Sequence, residues 1–336
     1  MGYVGPVLVN HLRSVFPESV LVGCDLGWFA HCLTGVSKMP EIALNLQWYR
    51  DVRALTIDDL SGFDAVIHLA AISNDPMGKD FEDLTDEINH RASVSLAEKA
   101  KAAGVRTFVF ASSCSVYGAG GDSPRRENDR LNPLTAYAKS KIDTEAGLQK
   151  FASDNFSIIC LRFATACGYS QRTRLDLVLN DFVATALSCK DVNVLSDGSP
   201  WRPLIHVSDM ARAMEWALTT GGENFITVNA GSDVWNYQVK DLAHAVAEKI
   251  SGVSVHINKN APADKRSYQV DFSLYKELAP RHQPLVSLEK AVDSLIDGLI
   301  SNNINLDNFR NGNFIRLNQL REHLALNVLS EELTWL

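Results

Sequence analysis

Residues 107–111, TFVFA, constrain the fold most. They are apolar and β-prone and predict a buried strand. Comparable runs recur at 20–24, 64–71, 157–163 and 226–230, with helical patterns such as 82–103 and the stretch from Thr135 between them. Strands alternating with helices predict an α/β chain built on a doubly wound parallel sheet. Open sheets of this kind bind ligands at the carboxyl ends of their strands, and this strand ends in Ser112 and Ser113.

Tyr137 and Lys141 follow at i,i+4, which puts both side chains on one helical face. A nearby ammonium favours phenolate over phenol, so the spacing predicts that Lys141 lowers the pKa of Tyr137. A tyrosine tuned this way serves as general base toward a substrate hydroxyl. Ser113 would hold the same hydroxyl by a hydrogen bond. Tyr-x-x-x-Lys alone occurs on many surface helices; the preceding strand end, SSCSVYG, makes the combination specific. A second pattern opens the chain. Gly2 and Gly5 run into a helical stretch, and the strand at 20–24 ends at Asp25, 20 positions after Gly5. A glycine turn, a helix and an acidic residue closing the next strand are parts of a dinucleotide-binding unit.

The net charge of −8 and the absence of a basic stripe argue against a nucleic-acid partner. No apolar run is long enough to span a bilayer, and no secretory leader pattern is seen. Six cysteines without a C-x-x-C pair suggest neither a metal knuckle nor a redox motif. The expectation is a cytoplasmic protein with reduced thiols and no metal.

From Gly2 to about Leu299 the chain resembles the extended short-chain dehydrogenase/reductase family, the NAD-dependent epimerases and dehydratases of nucleotide sugars. The resemblance implies NAD as cofactor and a nucleoside-diphosphate sugar as substrate. Gly2 and Gly5 look like the last two glycines of the family's G-x-x-G-x-x-G turn. The first glycine and first strand are not seen, and roughly ten residues, a strand plus a turn, are expected upstream of Met1. Asp25 would accept from the adenosine ribose and repel a 2′-phosphate. Asp51 and Val52 become adenine contacts, and Leu69, Ala70 and Ala71 let the backbone approach the cofactor. Asn89 would brace the active-site strand. Ser115, Asn180, Arg202, Arg266 and Tyr268 are the implied substrate contacts. The division implied is a cofactor domain at 1–168 with returning segments at about 204–230, a smaller substrate lobe at 169–300, and a helical tail at 301–336. A homodimer through helices 82–103 and 135–152 is likewise implied.

Where the family commonly has L-R-x-x-N-x-Y-G-P, this chain has Thr165, Cys167 and Tyr169 at the Asn, Tyr and Pro positions. The acid pair that follows the serine in family members resembling dTDP-glucose 4,6-dehydratase is replaced by Cys114 and Ser115. An ordinary cysteine or serine is a poor acid–base at neutral pH. The reading is therefore an epimerase or C4 oxidoreductase working through a 4-keto intermediate, with Tyr137 as base. Two alternatives stand beside it: a dehydratase using a Cys114 thiolate, and a non-catalytic sugar-nucleotide-binding relic.

Overall fold

The computed structural model describes residues 1–119, 123–221, 223–261 and 267–336. Four parallel strands form the main sheet: β3 (Ala65–His68), β4 (Thr107–Ser113), β5 (Ser157–Phe163) and β9 (Phe225–Ala230), side by side in that order. The pairing of β4 with β5 runs from Thr107 opposite Ser157 to Ser113 opposite Phe163. Helices cover both faces, which is why β5 is an almost unbroken run of buried residues.

Two further strands, β1 (Val22–Asp25) and β2 (Leu46–Tyr49), pair with each other in parallel but with no strand of the main sheet. Helix α1 (Gly5–Val15) precedes β1 and packs against the helix Val207–Thr219, burying Leu8 and Leu12 in the principal core. Among the described residues no strand lies between β1 and β3, and their side chains line one cleft of about 2710 Å³.

The remaining strands form the second layer. β6 (Thr165–Cys167) is parallel to β8 (Trp201–His206), which is antiparallel to β10 (Asn236–Gln238). β7 (Asp191–Val194) pairs with β11 (Ser254–Ile257). Helices Val178–Cys189, Val239–Lys249 and Leu288–Ser301 pack on these strands around a separate core. The last helix, Arg316–Ala325, belongs elsewhere. Its Leu320, with Leu329 and Leu333 beyond it, packs on Trp28, Ile72 and Met77 of the cofactor half. The tail thus lies on its own chain, a point the sequence left open. All six cysteines are free thiols. No described helix is long and apolar enough to cross a membrane.

Candidate active site

β4 ends at Ser113, whose hydroxyl accepts from the Ser115 N–H at 3.2 Å. The chain then makes one short turn to Gly118, which has φ +61°, and any side chain there would collide with the Asn132 carbonyl. Glycine is required for this close return. The catalytic helix Ala136–Gln149 starts where the hydroxyl of Thr135 accepts from the Ala138 N–H, a regular N-cap.

Ser113, Tyr137 and Lys141 line the same cleft. Burial pushes the Tyr137 phenol up to about 12; a Ser113 hydrogen bond pulls the other way, the Asp75 carboxylate raises it further, and the Arg174 guanidinium lowers it. Lys141 is only 3% exposed, and burial pushes it down to about 8 against the pull of Glu145. Its Nζ donates to the Ala111 carbonyl at 2.8 Å and lies 5.5 Å from the Tyr137 ring centroid. The lowering expected from Lys141 is not seen: the net shift of Tyr137 is upward, and the cation that opposes it is Arg174. Arg174 is itself buried, paired to Asp176 through Nε at 2.9 Å, with Nη1 donating to Ser73 at 3.1 Å. Asn74 donates to the same Asp176 at 2.8 Å, and Thr135 donates to Asp75 at 2.8 Å. These bonds tie the loop after β3 to the catalytic helix. Asn-Asp-Pro opens the short helix Asp75–Asp80 with Asn74 as its cap.

The cofactor residues also converge. Gly2, Gly5, Asp25, Asp51, Val52, Leu69, Ala70 and Ala71 all line the cleft. A side chain at Gly2 would meet nothing within 4 Å, so the N-terminal turn of α1 leaves an open cradle. Backbone N–H groups at a helix start suit a diphosphate. Asp25 accepts from the Gly27 N–H at 2.6 Å and from the Met1 ammonium at 2.5 Å. Asp51 is chelated by Arg53. The cradle and the carboxylate at the end of β1 fit a dinucleotide. Asn89 brackets both polar groups of the Ile72 backbone at 2.8 and 2.9 Å and so braces the loop after β3, not β4. It sits in a π-helical segment, Asp86–Arg91, the wider turn that offsets it from the regular helix on either side.

Of the implied substrate residues, Ser115, Arg202 and Tyr268 line the cleft, and the Ser115 hydroxyl is buried with no hydrogen-bond partner among the described residues. Arg266 lies outside the described residues. Asn180 is not brought to the cleft. It is fully buried; its Oδ1 accepts from the Gly168 N–H at 3.0 Å and its Nδ2 donates to the Arg174 carbonyl at 2.8 Å. Cys114 also faces away, its thiol donating to the Arg162 carbonyl at 3.0 Å, and burial pushes its pKa well up. His206 caps the start of helix Val207–Thr219, and Asp209 accepts from the Leu285 and Val286 amides.

A parallel sheet that presents a serine, a tyrosine, a lysine and a dinucleotide cradle at one cleft defines an NAD-linked oxidoreductase-type site. The chain belongs to the NAD dependent epimerase/dehydratase family, whose model matches residues 2–231. It is 29% identical over 249 residues to YtcB, an uncharacterized UDP-glucose epimerase of Bacillus subtilis, covering 72% of this chain and 76% of that one. It is 27% identical to the UDP-glucose 4-epimerase of Mycolicibacterium smegmatis, covering 88% of this chain and 95% of the relative. The UDP-glucuronic acid 4-epimerase of Bacillus cereus, solved with UDP-glucuronic acid and NAD, superposes with TM-score 0.76 at 25% identity, covering 89% of this chain and 96% of that one.

Proposed function

We propose that this chain is an NAD-dependent 4-epimerase of a nucleoside-diphosphate hexose, with UDP-glucose the first candidate. The observation that carries the reading is the meeting of Ser113, Tyr137 and Lys141 with the Gly2 cradle and Asp25 in one cleft. Tyr137 takes the proton of the sugar C4 hydroxyl while Ser113 holds that oxygen. Bound NAD would supply the hydride acceptor: C4 would give up its hydride and the C4 oxygen its proton, leaving a ketone. Tyr137 returns the proton as the hydride comes back to the opposite face, and the net change is inversion at C4 with no change in mass. Arg174 provides a permanent positive charge that favours the phenolate. Arg202 and Tyr268 line the same cleft and are the candidate nucleotide and sugar contacts, with the Ser115 hydroxyl beside them as a third.

Epimerisation is favoured over dehydration by Cys114, whose thiol is turned into the core and held protonated. A homodimer through the long helices beside β4 is part of the same reading, checked by the mass of the purified chain in solution.

The test is incubation of the purified chain with NAD and a panel of UDP-, GDP-, dTDP- and CDP-hexoses. An isomeric product of unchanged mass is expected, and loss of one water would replace the reading with a dehydratase. Tyr137→Phe should retain NAD but lower turnover by about 10³-fold, the scale of a lost acid–base group. Turnover within tenfold of wild type would remove Tyr137 from the mechanism.

A further inference from the structure

The tail holds the two segments assigned to the adenosine half of the cofactor. Trp28 Nε1–H donates to the Leu333 carbonyl at 3.0 Å, and Trp335 Nε1–H donates to the Leu26 carbonyl at 2.6 Å. A His323 ring nitrogen meets the Trp28 carbonyl at 3.0 Å. Arg53, which chelates Asp51, also donates to the Glu332 carbonyl at 3.0 Å. Leu326 is exposed, but Leu333 is fully buried and has φ +57°, a left-handed backbone that a leucine rarely adopts. Such a conformation persists only where the surroundings fix it, and it points to a demand on the hairpin's shape. Higher up, buried Arg316 lines the cleft and donates to the Arg172 carbonyl at 2.7 Å, two residues before Arg174.

These bonds reach both the loop that follows β1 and the turn that follows β2. We propose that residues 316–336 are a positioning element of the cofactor site: a clasp that holds the loop from Asp25 to Trp28 and the Asp51–Arg53 turn in register for the adenosine of NAD. The clasp touches these loops through backbone carbonyls and indole N–H groups, so it acts through them and not on the reacting atoms. The inference rests on the NAD site proposed above.

The experiment compares wild type, Trp335→Phe, Leu333→Ala and a chain stopped after Val328 for binding of NAD, ADP-ribose and UDP-glucose, each by titration calorimetry, with thermal melts alongside. Loss of the indole donor in Trp335→Phe should weaken NAD and ADP-ribose equally, by roughly three- to tenfold, one hydrogen bond's worth. The shortened chain should lose more, and UDP-glucose affinity should stay within twofold throughout. If the shortened chain does not fold, the two single variants carry the test. Unchanged NAD and ADP-ribose affinity in the variants overturns the clasp. Equal weakening of NAD and UDP-glucose also overturns it, since that marks a general loss of stability. A wild-type chain that binds neither NAD nor ADP-ribose overturns the site assignment itself.

Discussion

The two halves of the cleft are built differently. On the catalytic side, β4 and β5 are paired over seven residues each and both are largely buried. Ser113, Tyr137 and Lys141 come from the end of one strand and the first turns of one helix, so local geometry fixes their relation. On the side proposed for the adenosine, β1 and β2 pair over four residues, and none of the eight is fully buried. What orders that side comes from far away in the chain: Arg13 to the Ala43 carbonyl at 3.0 Å, Arg172 to Glu41 at 2.7 Å, and the tail hairpin. A rigid sheet preorganises chemistry, while a site assembled from distant segments can be tuned or lost without touching the reaction.

The sharpest way to separate the halves is Lys141→Met. The ammonium is buried, and its folded value of about 8 is below the 10.5 of a free lysine. A lowered value means that the unfolded chain binds the proton more tightly, so lysine here costs stability. The cost is fully present below pH about 8, shrinks as pH rises, and is gone above about 10.5. Lys141→Met should therefore melt higher at pH 7, by on the order of 2 kcal/mol, while turnover falls by about 10²-fold or more. A variant that is both less active and less stable would show that the Lys141 bond to Ala111 outweighs its desolvation.

Asp25→Ala addresses the other half. On the proposed NAD site, loss of the Asp25 carboxylate should weaken NAD by about tenfold, with kcat at saturating NAD unchanged. A fall in kcat without a change in NAD affinity would mean that the adenosine side reaches the chemistry, and the contrast between the halves would fail.

The same contrast explains what the sequence could tell. Strand β4, its serine end and the i,i+4 pair Tyr137 and Lys141 were legible because period and spacing are local. The end of β1 at Asp25 and the start of α1 at Gly5 were legible for the same reason. Arg174 was not, because its link to Tyr137 depends on a loop from the second layer folding back over Ser73 and Asn74. Asn180 was assigned outward because a helix-turn Asn has no sequence mark distinguishing a ligand contact from a bracket for Gly168. The tail showed its helical period at Leu317, Leu320 and Leu324, yet nothing in that period names Trp28 and Leu26 as its partners.

The smallest change tests whether the catalytic half is built for a ligand. Ser115 carries a hydroxyl that is buried and makes no hydrogen bond among the described residues, although its own N–H is bonded to Ser113. An unmet buried hydroxyl costs about 1–3 kcal/mol, a cost a fold has no reason to keep unless something else meets it. Ser115→Ala removes the oxygen and leaves the backbone bond in place. The ligand-free chain should then be unchanged or more stable by up to about 1 kcal/mol, while KM for the sugar nucleotide rises by roughly three- to tenfold with kcat nearly constant. If stability falls and KM does not move, the hydroxyl serves the fold and not the ligand. The catalytic half would then be no more committed to its substrate than the adenosine half is to its sheet.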